Sequence, residues 1–400
     1  MKAAVLLYTY AGNSFRGAER SMEVFNFVFP FLGLDIPSHV TIREWVLKAG
    51  LEELCREKKA IEDYAVIIDE SITIAEHKVL MTLAVPARQG GHSLACSDAE
   101  VVDIHVAGSH KGKDVQEAIE RTTESLGKAP VYAVTDNGRN LVRGLSDAGI
   151  DNHRDISHTF GTFLKAVYDG DEEFAALTKE IGNARHFALT DVDYLMPNNM
   201  RALARWMNVS EWAKWARDMM EAVHKLNPKE RSMYSFVWQH GALVEELSEV
   251  MSCFREVLAL CKGSGLSGRT ATESIAVINR QLMGRGERLT KLGRMMIGYF
   301  ARESALLGSD EGGHNVSSDI IESLFGGFKE RKSPNRMYGV TGFILVMPLE
   351  TRLCTLQRTE KVDFKAALER NRILDVKLWE RESLPENLAA KRARVLRQAC

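Results

Sequence analysis

The sequence predicts an α/β protein in which a mixed β-sheet is interrupted by a large all-helical insertion and preceded by a helical N-terminal segment. Three observations carry that expectation. From residue 63 to 135, apolar runs of strand length alternate with turn signals. From about 160 to 310, strand-like alternation almost vanishes and long amphipathic segments replace it. Before residue 60, apolar residues recur at helical spacing.

The bulk numbers set the frame. A chain of 400 residues, 45% hydrophobic and 26% charged, can bury a large core and is expected to form two or three folded units. A formal charge of -2 argues against a protein that is basic throughout, while leaving room for local basic patches. The six cysteines are scattered, with no Cys-x-x-Cys pair, which excludes a zinc knuckle and fits a reducing, intracellular setting. The apolar start, Ala-Ala-Val-Leu-Leu-Tyr-Thr-Tyr-Ala, is too short and too polar for a signal peptide. No stretch approaches the roughly 20 apolar residues of a membrane span.

In the first segment, residues 1–59, Met22, Phe25, Phe29 and Leu32 mark a helix from Phe15 to Leu34, stopped by Gly33. Ser38 is the expected N-cap of a second helix that carries Arg43, Trp45 and Lys48. Two helices and a tight break outline a helix-turn-helix-like DNA-binding segment, with Arg43 and Lys48 as phosphate or base contacts; an ordinary helix pair with Trp45 in its core has the same outline.

The period changes in residues 60–165. The run from Asp63 to Asp69 is continuous and apolar, as in a strand buried on both faces, and ends on a carboxylate. Strands are expected again over His77–Ala87 and Glu100–Ala107, then a helix over Asp114–Leu126, a strand Val131–Thr135 ending on Asp136, and a helix Asn137–Leu145. Strand, strand, strand, helix, strand, helix is the order of a ribonuclease-H-like domain, although other mixed folds share it. Residues 166–310 form the helical insertion, with segments Glu172–Ile181, Met200–Leu226, Gly241–Leu260, Thr270–Leu282 and Leu289–Leu306, and a capping box at Thr270-x-x-Glu273. Residues 311–360 complete the core with a helix Asp319–Phe328, and 361–400 form a charged helical tail.

Three carboxylates stand out, each with a plain alternative. Asp69 points into the crevice at the end of a buried strand, or caps a turn. Asp136-Asn-Gly reads as a hairpin turn, but Leu141, Val142 and Leu145 after it have helical spacing, so Asp136 also closes a strand. Glu322 is either the partner in an Asp319-x-x-Glu322 capping box or, beside the apolar stripe Ile321, Leu324, Phe325 and Phe328, a side chain aimed at the strand ends. Three such oxygen ligands suit a pair of Mg²⁺ or Mn²⁺ ions about 4 Å apart, which promote in-line attack on phosphorus.

Taken together, Val-Ile-Ile-Asp69-Glu-Ser, Ala-Val-Thr-Asp136-Asn-Gly-Arg-Asn and Ser318-Asp-Ile-Ile-Glu322-Ser-Leu-Phe-Gly-Gly-Phe-Lys329 resemble the three catalytic blocks of the DDE transposases, which have a ribonuclease-H-like core. The likeness spans residues 15–350, and Pro37-Ser-x-x-Thr41-Ile-Arg43-x-Trp45 is similar to DNA-binding segments of bacterial insertion-sequence transposases. It implies that Asp69, Asp136 and Glu322 bind two Mg²⁺ (or Mn²⁺) ions and act on double-stranded DNA, at transposon ends and target. Asp155-Ile-Ser-His158 is similar to the Cys/Asp-x-x-His motif that follows the second aspartate in several transposase groups, which implies a role for His158 at the scissile phosphate; a hydrogen-bonded structural histidine is the alternative. The long gap between Asp136 and Glu322 is similar to that of members with a helical insertion before the glutamate.

Trp206, Trp212, Trp215 and Trp238 fall in the insertion, where an aromatic ring can stack a flipped base; Trp212 and Trp215 share helical spacing with Met219 and read as core. Lys329, Arg331, Lys332 and Arg336 are placed to meet phosphates, or form a solvated face. The expectation is therefore a DNA-cleaving and DNA-joining enzyme, a homodimer or larger assembly when it synapses two ends, with no membrane partner, and cytoplasmic at the bacterial nucleoid. The alternatives are a domesticated DNA-binding protein that does not cut, and a ribonuclease-H-fold nuclease that does not join.

Overall fold

The computed structural model describes residues 1–58, 62–71, 73–191, 193–197, 206 and 208–398. Three helices, α1 (Lys2–Thr9), α2 (Phe15–Val28) and α3 (His39–Cys55), precede the strands β1 (Tyr64–Glu70), β2 (Lys78–Pro86) and β3 (Glu100–Ala107). Next come α4 (Gly112–Leu126), β4 (Ala133–Thr135), α5 (Arg139–Asp147) and β5 (Asn152–Arg154). A helical run follows: α6 (Ile156–Tyr168), α7 (Glu172–Asp191), α8 (Val209–Glu221), α9 (Pro228–Met233), α10 (Phe236–Gln239), α11 (Gly241–Ser264), α12 (Gly268–Gln281) and α13 (Glu287–Ala305). The chain finishes with α14 (Asp319–Arg331), α15 (Val346–Arg352), α16 (Leu356–Glu360), α17 (Phe364–Arg370), α18 (Ile373–Ser383) and α19 (Leu388–Gln398).

The chain divides into two compact units. The first gathers Met1–Arg88, Leu94–His153 and Ser318–Cys400; the second, Gln89–Ser93 and Arg154–Ser317. The first unit is mixed α/β, built on a five-stranded sheet of order β3-β2-β1-β4-β5. β2 runs antiparallel to both β1 and β3, and β4 runs parallel to β1. Alternation along β1 explains how the sheet is covered. Tyr64, Val66 and Ile68 pack with Val115, Ile119, Leu141 and Leu145 of α4 and α5, whereas Ala65 and Ile67 pack with Ile321, Leu324, Phe325 and Phe328 of α14. A strand covered on both faces needs the unbroken apolar run that the sequence shows.

The N-terminal helices depart from the simplest helix-turn-helix picture. Ser38 caps α3 as expected, its hydroxyl accepting the Thr41 N–H at 3.2 Å. Yet α3 packs against α1, α2, α15, α17 and α18, and Ile42, Val46, Leu47, Ala49, Gly50 and Leu51 are buried. Arg43 is exposed near its start and Lys48 is half-buried. α2 stops at Val28, because Pro30 begins a short 3-10 turn that Gly33 ends in the left-handed region, at φ +52°. The tail is integrated as well: Phe364 and Leu368 of α17 join Val5, Tyr8 and Val46 in one apolar cluster.

The second unit is helical, with Phe160, Phe174, Trp212, Leu247, Leu292 and Phe300 in its core. It is wider than the expected 166–310, because Ile156, Phe160, Leu164 and Tyr168 of α6 belong to that core. Met200, the expected start of one helix, lies outside the described residues. The capping box also shifts. Ser267 is the N-cap of α12 and Thr270 its partner, the Thr270 hydroxyl accepting the Ser267 N–H at 2.8 Å and the Ser267 hydroxyl accepting the Thr270 N–H at 3.3 Å.

Candidate active site

The parallel pairing of β1 with β4 organises the site. Val66 lies opposite Ala133 and Ile67 opposite Val134. Two residues past the last of these pairs, Asp69 stands near the end of β1 and Asp136 directly after the end of β4. Both aspartates line a cavity of about 440 Å³ together with Glu70, Ser71, Lys78, His110, Arg139 and Asn140. The crevice is at the carboxyl ends of the strands, where open α/β sheets bind ligands.

Local turns fix the two carboxylates. The Asp69 Oδ1 accepts the Glu70 N–H at 2.7 Å. Beyond β4 the Asp136 Oδ1 accepts the Gly138 N–H at 2.8 Å, with Asn137 left-handed at φ +68°. Asp136-Asn137-Gly138 is thus a strand-to-helix turn leading into α5, with Gly138 at its N-cap. Asp69 is half-buried and Asp136 exposed.

Glu322 lies on α14 and is not among the residues that line this cavity. It is exposed in the first turn, and the Ser318 hydroxyl donates to its Oε1 at 3.3 Å. Ser318, and not Asp319, is the N-cap. Lys329 links the carboxylates electrostatically. Burial pulls its ammonium pKa below the ordinary value, while the charges of Asp69 and Glu322 both oppose that shift. Its Nζ stands 5.6 Å from the centre of the Phe325 ring, consistent with helical side chains leaning toward the N-terminus. Among the described residues, no three His, Cys, Asp or Glu side chains gather closely enough to hold a metal ion. The Asp69–Asp136 pair alone has the donor chemistry of a hard divalent cation site.

A second set of polar residues knits the same cavity together and was not singled out in the sequence. Glu70 forms an ion pair with Lys78 and meets buried His110 twice, at 2.7 Å through the ring Nδ1 and at 3.2 Å through the backbone N–H. Asn140 then donates to the His110 carbonyl at 2.7 Å. Burial alone would raise the Glu70 carboxyl, but the bonds from Lys78 and His110 outweigh it and hold the pKa below the usual range. The available signal was positional: Glu70 follows Asp69 directly, and His110 sits in the loop from β3 into α4.

The remaining expected residues scatter. Arg331 is paired within the fold, its Nη1 donating to Glu350 Oε1 at 2.9 Å. Arg336 is exposed and Lys332 half-buried. His158 belongs to the second unit, in the first turn of α6, where its backbone N–H donates at 2.7 Å to Asp155, the buried N-cap. The motif aspartate therefore has a helix-capping role. Trp212 is fully buried, and Trp215 donates its ring N–H to the Leu195 carbonyl at 3.1 Å. Trp206 stacks on Phe174 with ring centres 5.2 Å apart and lines a cavity of about 540 Å³ in the second unit with Phe160, Phe254, Arg255 and Lys262. No protein-family model matches the chain, and no curated protein matches it.

Proposed function

We propose that this protein is a DNA transposase of the DDE type, with a ribonuclease-H-like sheet, that cleaves DNA at transposon ends and joins the freed strand to target DNA. The observation that supports this reading best is that Asp69, near the end of β1, and Asp136, just past the end of the parallel strand β4, line one crevice. Asp69 and Asp136 would hold a divalent ion, with Glu322 as the third ligand when DNA is bound. Such ions activate the attacking hydroxyl and stabilise the leaving oxygen. Lys329 and Arg139 would balance phosphate charge beside the carboxylates, and the Glu70–His110–Asn140 set would keep the strand ends and α5 in place. His158 enters the proposal through its motif alone.

The test is Asp136→Asn, nearly isosteric, in a Mg²⁺-dependent cleavage and strand-transfer assay on the DNA ends flanking the gene. DNA binding is expected to persist while cleavage and transfer fall to background. Retained transfer would remove Asp136 from the site. A second reading is a DNA-binding descendant that does not cut. It predicts a gel shift without Mg²⁺-dependent cleavage in the unaltered protein.

A further inference from the structure

Nine of the nineteen large apolar side chains that stand exposed among the described residues lie between Val24 and Val40, on the end of α2, the turn after it and the start of α3. Phe27 is 86% exposed and Phe31 83%. α2 is anchored one to two turns before its end, since Ala18 and Met22 are buried with Ala4 and Ile42. The turn is held too: the Leu34 N–H donates to Asn26 Oδ1 at 3.0 Å, and Phe29 and Phe31 meet edge to face at 5.9 Å. The rings are therefore presented outward on a fixed scaffold. An apolar surface of this kind on a folded chain marks an interaction site.

We infer that this face is the interface with a second copy of the same chain, related by a two-fold axis. The area fits. With about 200 Å² for a whole phenylalanine, the nine exposed fractions amount to at most roughly 800–900 Å², so covering most of them supplies what each partner contributes to an interface of standard size. The chemistry selects the occupant. Between Arg20 and Arg43 there is no Lys or Arg, so nothing in the segment attracts DNA phosphates. The polar residues Arg16, Glu19, Arg20 and Glu23 of α2 balance in sign, whereas a helix lying on a membrane carries a basic polar face. An aromatic face with a single charge, Asp35, from Val24 to Val40 apart from His39 is matched best by itself, since isologous homodimer interfaces are the more apolar class.

The inference stands independently of the proposed chemistry, and its test involves neither DNA nor metal. Sedimentation velocity of the full chain is expected to show a concentration-dependent dimer. F27D combined with F31D should raise the dissociation constant by about a hundredfold or more, as loss of central aromatic anchors does, with circular dichroism unchanged. Leu374→Asp, at another exposed apolar position, should leave the dimer intact. A monomeric unaltered chain, including one that floats with lipid vesicles, would overturn the inference, as would a dimer that survives F27D with F31D.

Discussion

Arg331 illustrates how a basic residue that reads as a phosphate contact is engaged by the fold. Its partner Glu350 is mostly buried, and burial lifts that carboxyl from the ordinary 4.5 to about 6 although the Arg331 charge works the other way. The folded state thus binds the proton more tightly than the unfolded chain. The stability this contributes is complete below 4.5 and is lost as the pH rises through 6. In E350Q, the decline in melting temperature on crossing pH 6 is expected to be shallower than in the unaltered protein; parallel curves would exclude Glu350 as its source. At this scale the sequence was partly legible. Asp69 and Asp136 could be found because each follows an apolar run directly. The pairing of Glu70 with His110 and of Arg331 with Glu350 could not, since each joins residues whose approach depends on packing between separate elements.

Among the elements, the strands and helices with strong periodicity were readable to within a few residues, β3 and α4 most clearly. β5 was not, because Asn-His-Arg carries no apolar alternation and is a strand only by pairing at the sheet edge. The close packing of α4 on α5 was invisible too. A side chain at Gly144 would place its Cβ 2.4 Å from the Gly112 carbonyl oxygen and 2.5 Å from the Val115 Cβ. Gly144→Ala is therefore expected to push α5 off α4 and destabilise by about 1–3 kcal/mol, read by denaturant unfolding. An unchanged midpoint would show that the helices part without cost.

At the scale of the whole molecule, two units with separate cores are expected to melt in two steps. Phe300→Ala removes a fully buried ring from the helical unit, and its cost of about 3–5 kcal/mol should shift one calorimetric transition and leave the other in place. A single transition moving as a whole would show that the units unfold together. That the helical region forms its own unit was legible from its change of period; that α6 belongs to it was not, since α6 follows β5 closely and only packing assigns it. The parallel register of β1 and β4 has a consequence for how such a protein can change over generations. The ladder pairs Val66 with Ala133 and Ile67 with Val134, two residues before the carboxylates, so the loops between the strands can gain or lose residues without disturbing that pairing. Loss of one residue within β4 would instead turn the second carboxylate to the opposite side of the sheet. Drift in length is tolerated between these strands and forbidden inside them.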